Sequence, residues 1–121
     1  MSVVLRKGYG LGAMAMTAGG FHSPLFTVAW PTGEFGAMGL EGAVRLGYRK
    51  ELEAVPEGVQ REALYEQLVA QQYEKGSAIN MAATLEIDAV IDPAQTRTWL
   101  VRGLQTQGES PPARGLAIDA W

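Results

Sequence analysis

The sequence contains no cysteine, a single histidine and no long apolar run. The lack of cysteine excludes disulfides and thiolate chemistry and is compatible with a reducing compartment. His22, the single histidine, cannot form a metal site without partners, and no His, Asp and Glu residues have the spacing of metal ligands. No apolar stretch is long enough for a membrane-spanning helix, and the N-terminal MSVVLRKGYG lacks the pattern of a signal peptide. We therefore expect no metal, no secretory signal and no membrane span.

Charge is also scarce, and its balance is close to neutral. Of the 121 residues, 19% are charged and 47% are hydrophobic, which is typical of one small globular domain. The formal net charge of −3 gives no electrostatic reason to expect nucleic acid or an anionic membrane as a partner. Glycine, in contrast, is abundant: most of the 15 glycines precede Tyr48, which indicates tight turns or closely packed backbone there.

Short strands alternate with helices in the predicted secondary structure, which places the chain in the α/β class. Strands are predicted at 2–5, 25–30, 35–38 and 87–91, and helices at 13–17, 40–48, 59–75 and 78–85. A last helix is predicted with Asp92 as its N-cap, Pro93 as its first residue and Gln95 as the reciprocal capping partner. Residues 106–121 are polar and proline-bearing, so they are predicted to form a flexible tail behind a folded segment of residues 1–105.

The glycine-rich turn from Arg6 to Ala13 (RKGYGLGA) follows a predicted strand and precedes a predicted helix. N–H groups at a helix start lack partners within the helix, so such a turn can hold an anion or a developing oxyanion. The turn is neither a P-loop nor a regular G-x-G-x-x-G motif. From the residues alone, glycine more commonly relieves a steric conflict of the backbone in a turn that has only a structural role. An anion-binding site is the alternative.

Side-chain catalysis has little support in the sequence. His22 is expected to be a surface histidine in a turn, and Ser23 beside it has no base and no orienting group. Trp30 is interpreted as core or interface material, within a tight strand–turn–strand unit at residues 30–39. Glu34 is interpreted as a solvated or backbone-capping carboxylate rather than a general base.

Three motifs in a fixed order give the chain a resemblance to a known family. They are RKGYGLGA at 6–13, AWPTGEFGAMGLEGAV at 29–44 and IDAVIDPAQTR at 87–97. The chain resembles the carboxyltransferase β subunits of biotin-dependent acyl-CoA carboxylases of the propionyl-CoA and methylcrotonyl-CoA type, over residues 1 to about 104. The resemblance is to the C-terminal part of a subunit with two domains. It implies a crotonase-like fold, a spiral of strand–strand–helix units, present here as a partial domain.

The resemblance also implies a chemistry in which the cofactor, not the protein, is the base. Biotin delivers the carboxyl group and accepts the α-proton of an acyl-CoA, while the protein supplies oxyanion holes and position. By position in the motif, the backbone N–H groups of Leu11 and Gly12 would be the catalytic oxyanion donors, and Gly10 and Ala13 would flank them in the biotin site. The common family form has two adjacent glycines and an alanine here, so the Leu11 side chain could narrow the pocket.

Partners and cofactor follow from the same resemblance. It implies biotin attached to a separate carrier protein or domain, biotin carboxyl carrier and biotin carboxylase subunits as partners, an acyl-CoA substrate, a homo-oligomer and a cytoplasmic location. The part of the family that supplies the acyl-CoA site is missing, so activity of this chain alone is not expected. Two other functions remain open: a catalytically inactive stand-alone fragment that acts as an oligomeric module, and a module that binds another small ligand at the glycine turn.

Overall fold

Residues 1–106 are described by the computed structural model, and they alternate between short strands and helices. The strands are β1 (Ser2–Val4), β2 (Lys7–Tyr9), β3 (Thr27–Ala29), β4 (Glu34–Gly36) and β5 (Ala89–Val90). The helices are α1 (Gly10–Met16), α2 (Leu40–Gly47), α3 (Arg49–Glu53), α4 (Val59–Lys75), α5 (Ala78–Ala83) and α6 (Thr96–Thr106), and a 3-10 turn at Pro93–Gln95 precedes α6. The expected α/β class is therefore confirmed.

All strand pairs in the described part of the chain are parallel, and they form two small sheets. One sheet has the order β1-β3-β5, with Val3 opposite Val28 and Val28 opposite Ala89. The other is the pair β2-β4, with Gly8 opposite Phe35. The chain twice passes from the first sheet to the second and then into a helix. The order strand–strand–helix thus occurs in β1-β2-α1 and again in β3-β4-α2.

The core lies on both sides of β3, the middle strand of the larger sheet. All three residues of β3 are buried, as expected for a parallel strand covered on both faces. One cluster contains Ala29, Phe35, Ala78 and Ile87, with the Phe21 ring edge-on to Phe35 at 5.3 Å. The other contains Phe26, Val28 and Ile91, with the Trp99 ring edge-on to Phe26 at 5.5 Å.

Helix α4 matches its predicted bounds, and it packs against α2. The buried residues of these two helices are Leu68 in α4 and Leu40 and Val44 in α2. Gly76 ends α4 as predicted, but for a packing reason. A Cβ there would collide with the carbonyl oxygen of Phe35, and its φ of −86° lies outside the left-handed region.

Several predicted elements differ from the structure. Strand β2 lies inside the predicted turn because it pairs with β4, α1 begins at Gly10 rather than Ala13, and α3 was not predicted. The Asp92 carboxylate accepts a hydrogen bond from the Ala94 N–H at 2.8 Å, which confirms the cap. No hydrogen bond joins the Gln95 side chain to Asp92 within residues 1–106, so the expected reciprocal cap is wrong; instead the Gln95 backbone N–H donates to the Asp92 carbonyl in a 3-10 turn. The predicted tail lies outside the described residues, apart from Thr106 at the end of α6.

Candidate anion-binding turn

The glycine turn joins β2 directly to α1, and Gly10 is the residue that makes this junction possible. Tyr9 is extended and Gly10 has a φ of +54°, a conformation that favours glycine. A Cβ on Gly10 would lie 2.5 Å from the carbonyl oxygen of Ala37, which belongs to the segment after β4. Gly10 is therefore required by the backbone itself.

The N–H groups of Leu11 and Gly12 lie in the first turn of α1. Helix N–H groups at this position have no acceptor within the helix. Among residues 1–106, no side chain caps them and no backbone oxygen outside α1 accepts from them. A Cβ on Gly12 would meet no atom within 4 Å, and the Leu11 side chain is 81% exposed. The described fold therefore gives Gly12 no steric reason to be glycine, and Leu11 points into solvent.

A cavity of about 680 Å³ lies beside this turn. Its volume is within the range of small-molecule sites. Of the four predicted site residues, Gly12 and Ala13 line it, whereas Gly10 and Leu11 do not. The Leu11 side chain therefore does not narrow this cavity. Met16, Thr17, Phe21 and residues 1–9 complete the wall.

The second motif reaches the turn through Glu34, the first residue of β4. The Tyr9 hydroxyl donates to Glu34 Oε2 at 2.7 Å, and Arg6 Nε lies 3.8 Å from Glu34 Oε1. Burial, the Glu34 hydrogen bond and the Glu34 charge together raise the pKa of Tyr9 well above its usual value of 10. The interpretation of Glu34 as a solvated or backbone-capping carboxylate is wrong, because its side chain joins β4 to β2.

The third motif is tied to the second in the same manner. Trp30 Nε1 donates to Thr96 Oγ1 at 2.9 Å, and Trp30 packs against the cluster around Val28. Asp88 Oδ2 accepts from the Thr27 N–H at 2.6 Å. The Thr32 hydroxyl of the second motif donates to the carbonyl of Leu5, the residue before the first motif, at 2.6 Å. The three motifs therefore form one structural unit around the two sheets.

His22 lies apart from this unit. It is exposed, and its Nε2 is 3.4 Å from the carboxylate of Glu86, as suits a surface turn. Between residues 1 and 106 there is no group of three or more His, Cys, Asp and Glu side chains placed to hold a metal ion. No helix in the same range is long and apolar enough to cross a membrane.

The tie between Tyr9 and Glu34 is the feature of the site that sequence reasoning missed. The two residues are 25 positions apart, in motifs that were interpreted separately. Their contact depends on the parallel register of β2 and β4, which pairs Lys7 with Glu34 and Tyr9 with Gly36. In the sequence, the only sign of this contact was that both residues belong to motifs that occur in a fixed order.

The fold and the turn together define a class of protein: a parallel α/β unit of repeated strand–strand–helix elements with a glycine-rich turn between a strand and a helix. The carboxyl transferase domain family matches residues 1–113. The chain belongs to this family, and its fold is a partial crotonase-like carboxyltransferase domain. The resemblance drawn from the three motifs is thus confirmed.

Relatives agree with this assignment. The biotin-dependent acetyl-/propionyl-coenzyme A carboxylase beta6 subunit of Mycobacterium tuberculosis is 34% identical over 116 residues, covering 95% of this chain and 24% of the subunit. The methylmalonyl-CoA carboxyltransferase 12S subunit of Propionibacterium freudenreichii is 34% identical over 94% of this chain and 22% of its own length. The chain therefore spans about a quarter of the length of these relatives.

Solved structures give the same result. A single-chain, multi-domain long-chain acyl-CoA carboxylase shares 55% identity over 83% of this chain and 10% of its own, with a TM-score of 0.67. The transcarboxylase 12S hexamer, solved with methylmalonyl-coenzyme A bound, covers 95% of this chain with 31% identity and a TM-score of 0.75. The first is named as an acyl-CoA carboxylase and the second as a transcarboxylase.

Proposed function

We propose that this chain contributes the biotin side of a carboxyltransferase site that transfers a carboxyl group from carboxybiotin to an acyl-CoA. One observation carries the proposal: the N–H groups of Leu11 and Gly12 have no acceptor outside α1 in the described residues, beside a cavity that Gly12 and Ala13 line. Family membership supports this chemistry, since one relative of 34% identity is named as a subunit of a biotin-dependent acetyl-/propionyl-coenzyme A carboxylase and another as a subunit of a methylmalonyl-CoA carboxyltransferase.

The chain's own part in the reaction is to bind and stabilise. Two N–H donors directed at one oxygen favour its charged form, and they do so without reorganisation when they are held by the backbone. Biotin, when bound, supplies the carboxyl group and the base. In this proposal Leu11 and Gly12 hold the ureido oxygen, and Gly10 and Ala13 flank it.

Partners belong to the same proposal. The chain would act with a biotin carboxyl carrier, a biotin carboxylase subunit and the part of the domain that binds acyl-CoA, within a homo-oligomer like the transcarboxylase 12S hexamer. Activity of the chain alone is not expected, because it spans about a quarter of its relatives. A cytoplasmic location agrees with the lack of cysteine.

The binding part of the proposal is tested by titrating the isotope-labelled chain with biocytin, the lysine conjugate of biotin, and following backbone amide resonances by NMR. We expect the Leu11 and Gly12 resonances to shift, and a Gly12→Val variant to lose that response while remaining folded. Gly47→Val is the matched control, because Gly47 is also an exposed helical glycine whose Cβ would meet no atom within 4 Å. The absence of any response at Leu11 and Gly12 in the unmodified chain would refute the biotin site.

The same titration separates the alternatives. If inorganic phosphate shifts the two resonances as strongly as biocytin does, the turn is a general small-anion site. If neither ligand acts, the inactive oligomeric module becomes the better description. That module is favoured by exposed apolar side chains on α1, of which Leu11 and Met16 are more than four-fifths exposed.

A further inference from the structure

Helix α1 is held at its two ends and not along its length. None of its seven residues is buried. At its C-terminal end, the buried Thr17 donates its hydroxyl hydrogen bond to the Ala13 carbonyl at 2.8 Å, and the Gly19 N–H donates to the Met14 carbonyl at 2.9 Å. A helix this short gains little from its own hydrogen bonds, so contacts at its first turn must determine where that turn lies.

Two contacts act at the first turn. Gly10 packs against the Ala37 carbonyl, which limits how closely the turn approaches the segment after β4. Tyr9, which precedes Gly10, is fixed to β4 by the hydrogen bond from its hydroxyl to Glu34. Arg6 lies on the other carboxylate oxygen of Glu34, and the Glu34 N–H donates to the Arg6 carbonyl at 2.6 Å. Glu34 is thus itself held at both its side chain and its backbone.

We propose that Tyr9, held by Glu34, is a positioning residue that sets the direction of the Leu11 and Gly12 N–H groups. The ligand in this inference rests on the proposed function, but the effect on the two N–H groups does not. Glycine is the residue whose backbone rotates most freely, so Gly10 is a hinge between β2 and α1. Anchoring the Tyr9 side chain removes freedom on the strand side of that hinge, and the N–H pair then follows one direction.

The test compares Tyr9→Phe with Tyr73→Phe in the full 121-residue chain. Tyr73 is the matched control, since its hydroxyl also donates to a carboxylate, Glu41 Oε1 at 2.6 Å, but lies on α4. We expect Tyr9→Phe to raise the picosecond-to-nanosecond mobility of the Leu11 and Gly12 N–H vectors in ¹⁵N relaxation. It should also weaken biocytin binding about two- to tenfold, because the loosened N–H groups must be ordered when the ligand binds. Tyr73→Phe should change neither.

Two Glu34 variants separate positioning from general stabilisation. Glu34→Gln keeps an oxygen that accepts from the Tyr9 hydroxyl, so it should retain wild-type mobility at Leu11 and Gly12. Glu34→Ala should match Tyr9→Phe, and combining the two should add no further loss. The inference is overturned if Tyr9→Phe leaves the mobility of both N–H groups at the Tyr73→Phe level, or if Glu34→Gln loosens them as much as Glu34→Ala.

The two proposals fail in different ways. If biocytin shifts no resonance of the unmodified chain, the proposed function fails, while the relaxation data still decide whether Tyr9 orients the turn. If biocytin binds and Tyr9→Phe changes neither affinity nor mobility, the positioning role fails and the proposed function stands.

Discussion

Gly10 and Gly12 lie two residues apart in the same turn, yet the fold needs only one of them. Gly10 combines a positive φ with a close contact to the Ala37 carbonyl. Gly10→Ala should therefore lower the free energy of unfolding by about 1–3 kcal/mol. Gly12→Ala should leave it unchanged or raise it by less than about 1 kcal/mol, because alanine is the better helix former. Urea denaturation of both variants measures the difference.

Gly47→Ala serves as the reference for this pair, since Gly47 is exposed in α2 with open space around its Cβ. If Gly12→Ala destabilises the chain as much as Gly10→Ala does, then Gly12 has a structural role. The case for Gly12 as a ligand-facing residue would then lose its main steric support.

Tyr9 should also make the free energy of unfolding fall at alkaline pH. Burial and the contact with Glu34 raise the pKa of Tyr9 in the folded state above its usual value of 10. As the pH rises above 10, Tyr9 therefore loses its proton in the unfolded chain before it does so in the folded chain. Deprotonation stabilises the unfolded state and so lowers the free energy of unfolding. The contribution is fully present below pH 10 and is lost above it. Denaturation at pH 9, 10 and 11 should show a steeper fall for the unmodified chain than for Tyr9→Phe; equal slopes would contradict the effect.

At the residue scale, the sequence located the candidate donors but not what holds them. Backbone N–H groups do not depend on side-chain identity, so the motif alone indicated Leu11 and Gly12, in a turn before a helix predicted from Ala13. The structure places both residues in the first turn of α1. The Tyr9 hydroxyl finds Glu34 only after β2 and β4 pair in register. A pattern of neighbouring residues carries no information about this contact between residues 25 positions apart.

At the scale of elements, the link between the second and third motifs makes a testable claim about α6. Thr96 accepts from Trp30 Nε1 and donates to the Pro93 carbonyl at 2.7 Å. Thr96→Val keeps the shape but removes both bonds, and it leaves a half-buried indole N–H unpaired. We expect it to lower the free energy of unfolding by about 1–3 kcal/mol. Thr96→Ser keeps the hydroxyl and should lose clearly less; a loss as large as that of Thr96→Val would mean that keeping the two hydrogen bonds does not preserve stability.

The helices and strands with a clear local sequence pattern were predicted better than those without one. Helix α4 has 17 residues with an amphipathic stripe, and its predicted and observed bounds agree. Strand β2 is three residues, Lys-Gly-Tyr, with no alternation, and only pairing with β4 makes it extended. Helix α3 is a single short turn of five residues directly after α2, with no separate start signal. Contacts with the rest of the fold, rather than local sequence, determine both β2 and α3.

At the scale of the whole molecule, the α/β class followed from the predicted elements, whereas the particular fold followed from the order of the motifs. Composition and pattern indicated α/β, and the resemblance added the spiral of strand–strand–helix units. The division into two sheets, β1-β3-β5 and β2-β4, depends on the chain turning from one sheet to the other between Val4 and Lys7 and between Ala29 and Glu34. Short segments such as Leu5-Arg6 carry no sequence signal for that change of sheet.

The exposed apolar surface near the cavity leads to a prediction about assembly. Leu5, Leu11, Met14 and Met16 are all exposed, and Met16 is 86% exposed at the cavity wall. Apolar surface of this kind is more stable when another protein surface covers it. The chain alone should therefore self-associate in sedimentation velocity, with a mean size that grows with concentration. Met16→Glu should raise the dissociation constant about tenfold or more, since burying one methionine side chain contributes about 1.5–3 kcal/mol.

Val59→Glu is the control for added charge, because Val59 is 87% exposed but begins α4. It should leave the association unchanged, since a glutamate is favourable at a helix start and the residue is not part of the cavity wall. A chain that stays monomeric at every concentration would show that this surface needs no cover. Equal weakening by Met16→Glu and Val59→Glu would show that net charge, not the surface around α1, controls assembly.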